Sequence, residues 1–232
     1  EVRAINTVVE RDIQEIISDS QIFDAFRGKL ILVTGATGLI GSMVARSLIA
    51  ANDAYHLSLR VICHVRNIEK AHHMFSDIVD SDILTFVDTP LESLDIACDY
   101  IMHGAGPTKS KYFVEHPVDT IRTSIHGTER MLELGKEQKI KGMVYLSSME
   151  QYGVPYESGQ VMTEDRIGYL DHLNVRSSYS ESKRLCECYC KSYAVEFGVP
   201  VKIARLAQTF GAGVSLDDNR VFMQFTKNAL ER

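Results

Sequence analysis

Residues 34–41 read TGATGLIG, directly after the apolar run Leu30-Ile31-Leu32-Val33 and before a further apolar stretch that reaches about Ala51. Gly35, Gly38 and Gly41 stand three residues apart. Glycine permits a tight turn, close backbone approach to a ligand and close helix contact. A helix that starts here offers unpaired N–H groups and a positive dipole end, which suits a pyrophosphate. The spacing is not G-x-G-x-x-G, and a plain strand-to-helix turn would use the same glycines. The context, strand before and helix after, favours a dinucleotide loop contacted by Gly35, Thr37, Gly38, Leu39, Ile40 and Gly41.

Outward from this loop, strand and helix signals alternate. Strands are predicted over Lys29–Thr34, Leu59–Val65, Ile83–Val87, Tyr100–His103, Gly142–Leu146 and Val201–Arg205. Long helices are predicted over Val118–Gln138 and Ser178–Phe197, the second stopped by Gly198 and Pro200. Strands that are nearly all apolar and alternate with helices imply a parallel sheet covered on both faces. The expected fold class is α/β, a doubly wound, Rossmann-like sheet with right-handed crossovers. Residues 8–26 read as one amphipathic helix with Ile13, Ile16, Ile17 and Phe23 on its face. Residues 1–27 are therefore taken as an N-terminal helical extension that covers the sheet edge, and 28–232 as the NAD(P)-binding domain.

The 232 residues carry a net charge of −6 with both signs interspersed, and 45% are apolar. This excludes a nucleic-acid surface and a disordered chain. No apolar run reaches membrane-span length, and no signal-peptide pattern opens the sequence. The five cysteines lack disulfide-like spacing, which suits a reducing, cytoplasmic setting. Cys186, Cys188 and Cys190 alternate on a helix, so the middle one faces away and no metal site is expected.

The end of the second strand reads CHVRN. A carboxylate there would bind a ribose 2′-hydroxyl; an arginine suits a 2′-phosphate. The acid is missing and Arg66 is present, so the cofactor is NAD or NADP with a lean to NADP. The alternative is that Arg66 is a surface charge resting on the adenine. Asp88, past the third strand, is a candidate for the adenine edge.

Further on, SSMEQYG (147–153) follows the fifth strand, and SSYSESKR (177–184) places Tyr179 and Lys183 four apart on one helical face. A phenol titrates near 10, and a neighbouring ammonium favours its phenolate. Tyr179 then serves as acid–base group for a substrate hydroxyl, Lys183 as its charge partner and ribose contact, and a serine hydroxyl as holder of the same oxygen; the alternative is an ordinary surface pair, since Y-x-x-x-K alone is common.

TGATGLIG, SSMEQYG and YSESK in this order resemble the extended short-chain dehydrogenase/reductase family, the nucleotide-sugar epimerases, dehydratases and decarboxylases. IMHGAG (101–106) resembles the family's H-x-A motif and implies cofactor contacts at Gly104, Ala105, Gly106 and, after the third strand, Thr89. HPVDTIRTSIHGTERML (116–132) and VRSSYSESKRLCE (175–187) are closest to the UDP-glucuronate decarboxylase branch. The resemblance implies Ser148, Tyr179 and Lys183 as the catalytic triad. Glu150 falls on the catalytic glutamate of T-x-E-x-Y-G, which plain 4-epimerases usually lack. Met149 stands where glucose-type 4,6-dehydratases have an acid. Ser124, Gln208 and Ala212-Gly213 depart from the family pattern. Family members continue for about another half domain, so the usual C-terminal substrate domain is expected to be largely absent here. The implied function is transient C4 oxidation of a nucleotide sugar. The open readings are UDP-glucuronate decarboxylase, 4,6-dehydratase, 4-epimerase, or a non-catalytic NAD(P)-binding sensor. A homodimer formed by the two long helices is the implied assembly.

Overall fold

The computed structural model describes residues 6–78, 82–159, 161–214, 218 and 220–231. Among these residues six strands form one parallel sheet: β1 (Leu30–Thr34), β2 (Arg60–His64), β3 (Leu84–Val87), β4 (Tyr100–His103), β5 (Gly142–Ser148) and β6 (Val201–Leu206). Their order is β3-β2-β1-β4-β5-β6. The chain leaves β1 for β2 on one side and returns to β4 on the other, so the strand order reverses between β1 and β4. Ligands of doubly wound sheets bind in the crevice at such a reversal.

Among the described residues seven helices accompany the sheet: α1 (Thr7–Ile16), α2 (Leu39–Tyr55), α3 (Ile68–Met74), α4 (Ser110–Glu115), α5 (Pro117–Gln138), α6 (Ser177–Phe197) and α7 (Val221–Leu230). The period-two alternation of β1 sorts its side chains into two layers. Ile31 and Val33 join Ala45, Leu48 and Ile49 of α2 on one face. Leu32 joins Met131 and Leu132 of α5 and Cys186 of α6 on the other. Central strands meet apolar neighbours on both faces, which explains their unbroken apolar runs.

The helix expected over 8–26 is two pieces. α1 ends at Ile16, and a 3-10 turn covers Ser20–Phe26. Asp19 starts the second piece because its side chain accepts the Gln21 N–H at 3.0 Å. Ile13, Ile17 and Phe23 are buried, whereas Ile16 is exposed. The segment lies on α2, not over the sheet edge: Tyr55 donates its hydroxyl to the Ile17 carbonyl, and Phe26 meets Tyr100 edge-on at 5.0 Å. α2 also runs past Ala51 to Tyr55, where His56 takes a left-handed conformation (φ 49°) and returns its N–H to Asn52. Gly198 caps α6 at φ 71°, the role its type suggests.

Candidate functional site

The TGATGLIG turn meets the β4 end across the strand-order reversal. Gly35 has φ +71°, and a Cβ there would stand 2.7 Å from the Gly104 carbonyl oxygen. A Cβ on Gly41 would collide with the Gly35 carbonyl. Only hydrogen fits at either position, so the backbone itself forms the floor of a cradle. Gly38 is the N-cap of α2 and supplies no side-chain cap. The α2 N-terminus, with Leu39 and Ile40 in its first turn and Thr37 in the turn before it, therefore keeps N–H groups and a positive dipole end for an anion.

Buried hydrogen bonds hold this cradle. Thr34 Oγ1 accepts the N–H of Gly104 at 3.2 Å and of Ala105 at 3.1 Å. With its acceptor capacity used, the hydroxyl donates to His103 Nδ1, 2.7 Å away. His103 therefore carries its proton on Nε2 and donates to Thr128 Oγ1 at 3.2 Å. Thr128 in turn donates to the Ser124 carbonyl at 2.7 Å. Burial, then the charge of Lys183, pushes His103 down to about 3, so it stays neutral. It is a structural brace for Gly104, Ala105 and, next in the chain, Gly106.

At the ends of β2 and β3 the side chains are polar. Burial lowers the pKa of His64, and its Nε2 donates to the Thr89 carbonyl at 2.9 Å. Asp88 and Arg66 act on His64 with opposite signs, which places both near it. Arg66, Asp88 and Thr89 are exposed at this mouth. Among the described residues Arg66 has no hydrogen-bond or ion-pair partner, so its guanidinium is available.

Ser148 closes β5 and caps the 3-10 turn Met149–Tyr152, where its Oγ accepts the Glu150 N–H at 3.2 Å. Arg176 Nη2 donates to both carboxylate oxygens of Glu150, at 3.0 and 2.8 Å. Tyr179 stacks on Phe113 with ring centres 4.2 Å apart and planes 2° apart. Its pKa is raised above 10, first by burial and then by the Glu150 charge; the Ser148 hydroxyl and Arg176 pull it down. Lys183 is buried, which lowers it to about 8. It donates to the Leu146 carbonyl at 2.8 Å and stands 5.7 Å from the Tyr179 ring centre. The fold thus gathers Ser148, Glu150, Tyr179 and Lys183 at one place. The expected lowering of the phenol by Lys183 is not seen: burial outweighs the pull of Ser148 and Arg176.

Sequence reading missed the groups that fix this end of the sheet. Glu187 accepts Ser147 Oγ at 2.5 Å and Arg205 Nη2 at 2.7 Å, which ties β5, α6 and β6 together. Arg184 donates to the carbonyls of Gln151, Tyr152 and Gly168 and pins the turn after β5. Phe113 and Arg176 were visible only as residue types, because their partners lie far along the chain. Cys186 and Cys190 are buried and Cys188 exposed, as their alternation suggests.

The model of the NAD dependent epimerase/dehydratase family matches residues 31–232. UDP-glucuronic acid decarboxylase 1 of Danio rerio is 31% identical over 208 residues, 88% of this chain and 47% of its own length. UDP-glucuronic acid decarboxylase 6 of Arabidopsis thaliana is 32% identical over 204 residues, 86% of this chain and 56% of its own. The chain thus spans about half the length of these curated relatives. UDP-glucuronic acid 4-epimerase from Bacillus cereus, solved with UDP-glucuronic acid and NAD, superposes with a TM-score of 0.71 at 23% identity, over 87% of this chain and 63% of that one. The dTDP-glucose 4,6-dehydratase DesIV from Streptomyces venezuelae gives 0.70 at 21% identity, over 87% and 62%. These structures share the fold. The match over residues 31–232 and the relatives above 30% identity lead to one conclusion: the chain belongs to the NAD dependent epimerase/dehydratase family.

Proposed function

We propose that this chain is the dinucleotide-binding and catalytic part of a nucleotide-sugar enzyme that oxidises C4 transiently, with UDP-glucuronate decarboxylation as its reaction. The observation that carries the proposal is the grouping of Ser148, Glu150, Tyr179 and Lys183 at the sheet end that bears the glycine cradle. The relatives above 30% identity, named UDP-glucuronic acid decarboxylases, support the choice of substrate.

The cradle fits a nicotinamide dinucleotide: Cβ-free positions at Gly35 and Gly41, an uncapped helix start, and a braced Gly104–Gly106 segment. When bound, that group accepts and returns a hydride. Tyr179 takes the C4 hydroxyl proton, and Ser148 hydrogen-bonds the same oxygen as charge develops. Lys183 supplies the positive charge that favours the phenolate. A ketone at C4 lies β to the glucuronate carboxylate, so CO2 departs with its electrons delocalised onto the C4 oxygen. Glu150 orients the ring or relays a proton. The free Arg66 supports NADP over NAD. Val118, Ile121 and Leu185 on α5 and α6 are exposed apolar positions that support a homodimer. Among the described residues no helix is long and apolar enough to cross a membrane; the free cysteines favour a reducing cytoplasm.

Incubation of the full-length protein with dinucleotide and UDP-glucuronate, read by product mass, tests this. CO2 with a UDP-pentose is expected. A dehydrated hexose from other nucleotide hexoses would instead assign Glu150 to C5 proton removal, and an unchanged mass with inverted C4 would assign epimerisation. Tyr179→Phe should abolish turnover and retain dinucleotide; full retention of function would point to a sensor.

A further inference from the structure

Arg176 immediately precedes α6, and a cation there opposes the helix dipole. Its backbone is fixed, since Asn174 Oδ1 accepts the Arg176 N–H at 2.9 Å. Its guanidinium carbon stands 5.0 Å over the Phe113 ring, the same ring that stacks on Tyr179 at 4.2 Å. Its Nη2 holds both oxygens of Glu150. Ser180, next to Tyr179, donates to Glu150 Oε2 at 3.4 Å. Contacts therefore close a circuit from Glu150 through Arg176 and Phe113 to Tyr179, and back through Ser180. The two charged side chains are each about one third exposed (36% and 33%), so the pair adds little stability. Stability alone does not account for a guanidinium set against the helix dipole.

We propose that Arg176 is a positioning residue of this site: braced on Phe113, it fixes the Glu150 carboxylate beside the Tyr179 phenol and offsets its charge there. The inference rests on Tyr179 being the acid–base group of the proposed reaction. The charged groups that face Tyr179 are Glu150, from the turn after β5, and Arg176 and Lys183, from the Tyr179 helix. Ser148 adds a hydroxyl, and α4 adds the Phe113 ring.

The test replaces Tyr179 with 3,5-difluorotyrosine and follows its phenol by 19F NMR against pH. Arg176→Met should move the midpoint upward, because Glu150 is left uncompensated. Glu150→Gln should move it downward, and the double variant should cancel most of both shifts. Arg176→Lys should stay near the parent. A midpoint unmoved by Arg176→Met, in protein whose thermal melt is unchanged, overturns the proposal. Should Arg176→Met not fold, an unmoved midpoint in Glu150→Gln overturns it equally. The titration needs no sugar, so it remains readable if UDP-glucuronate is not turned over. Where turnover is seen, Arg176→Met should lower kcat about tenfold to a hundredfold and leave KM in place.

Discussion

Thr34 Oγ1 lies 2.7 Å from His103 Nδ1, joining residues 69 apart in the chain. The hydroxyl also accepts the Gly104 and Ala105 N–H groups, so it fixes both the ring tautomer and the loop. Thr34→Val keeps the shape and leaves the Ala105 N–H and His103 Nδ1 without partners, while the Gly104 N–H keeps the Thr34 carbonyl at 3.2 Å. The substitution should cost about 2–4 kcal/mol of stability, read by chemical denaturation. His103 adds a pH signature. Its folded pKa lies at about 3, below its ordinary 6.5. Within that window the unfolded state binds the extra proton, so stability falls as pH falls. His103→Gln should flatten this part of the stability curve relative to the parent.

The glycine cradle gives a sharper outcome. Gly41→Ala places a methyl against the Gly35 carbonyl, and the turn must shift. Dinucleotide affinity, measured by calorimetry, should fall at least about tenfold, the equivalent of roughly 1.4 kcal/mol.

Lys183 sets function against stability. Burial lowers it from 10.5 to about 8, so below pH 8 the folded state carries a charge it disfavours. Between these values the unfolded state holds more protons, and stability rises with pH. Lys183→Met should remove that rise and stabilise the cofactor-free protein near neutrality, even though the Leu146 carbonyl loses its donor. Turnover should be lost. Denaturant midpoints across this pH window check the first outcome.

The Glu187–Arg205 pair is the mechanical tie behind Ser148. Their side chains are 9% and 21% exposed. Glu187→Ala leaves the Arg205 guanidinium its bond to the Glu164 carbonyl but strands the Ser147 hydroxyl, at a cost of about 2–4 kcal/mol. A smaller loss in Glu187→Gln, which keeps an acceptor for both, would separate the hydrogen bonds from the charge.

The alternation of strands and helices was legible because burial on both sheet faces leaves continuous apolar runs, as in Leu30–Val33. Tyr179 and Lys183 were legible because helical spacing is local. Arg176 with Glu150 was not, since 26 residues separate them and only the tertiary fold joins them. The break between α1 and the following 3-10 turn was missed for another reason. Ile13, Ile17 and Phe23 are all buried, so apolar spacing continued across a capping aspartate that redirected the chain.

Parallel pairing has a kinetic consequence. β1 pairs with β4 across the chain that carries β2, β3 and their crossovers, so this pairing closes a long loop. Gly35 faces Gly104 only when the two halves of the sheet have met. The dinucleotide cradle is thus absent from any species in which β1–β3 alone are formed, and its long-range closure is expected to be slow. A dinucleotide should accordingly leave the rate of early collapse unchanged and slow unfolding, acting as a latch on the finished sheet.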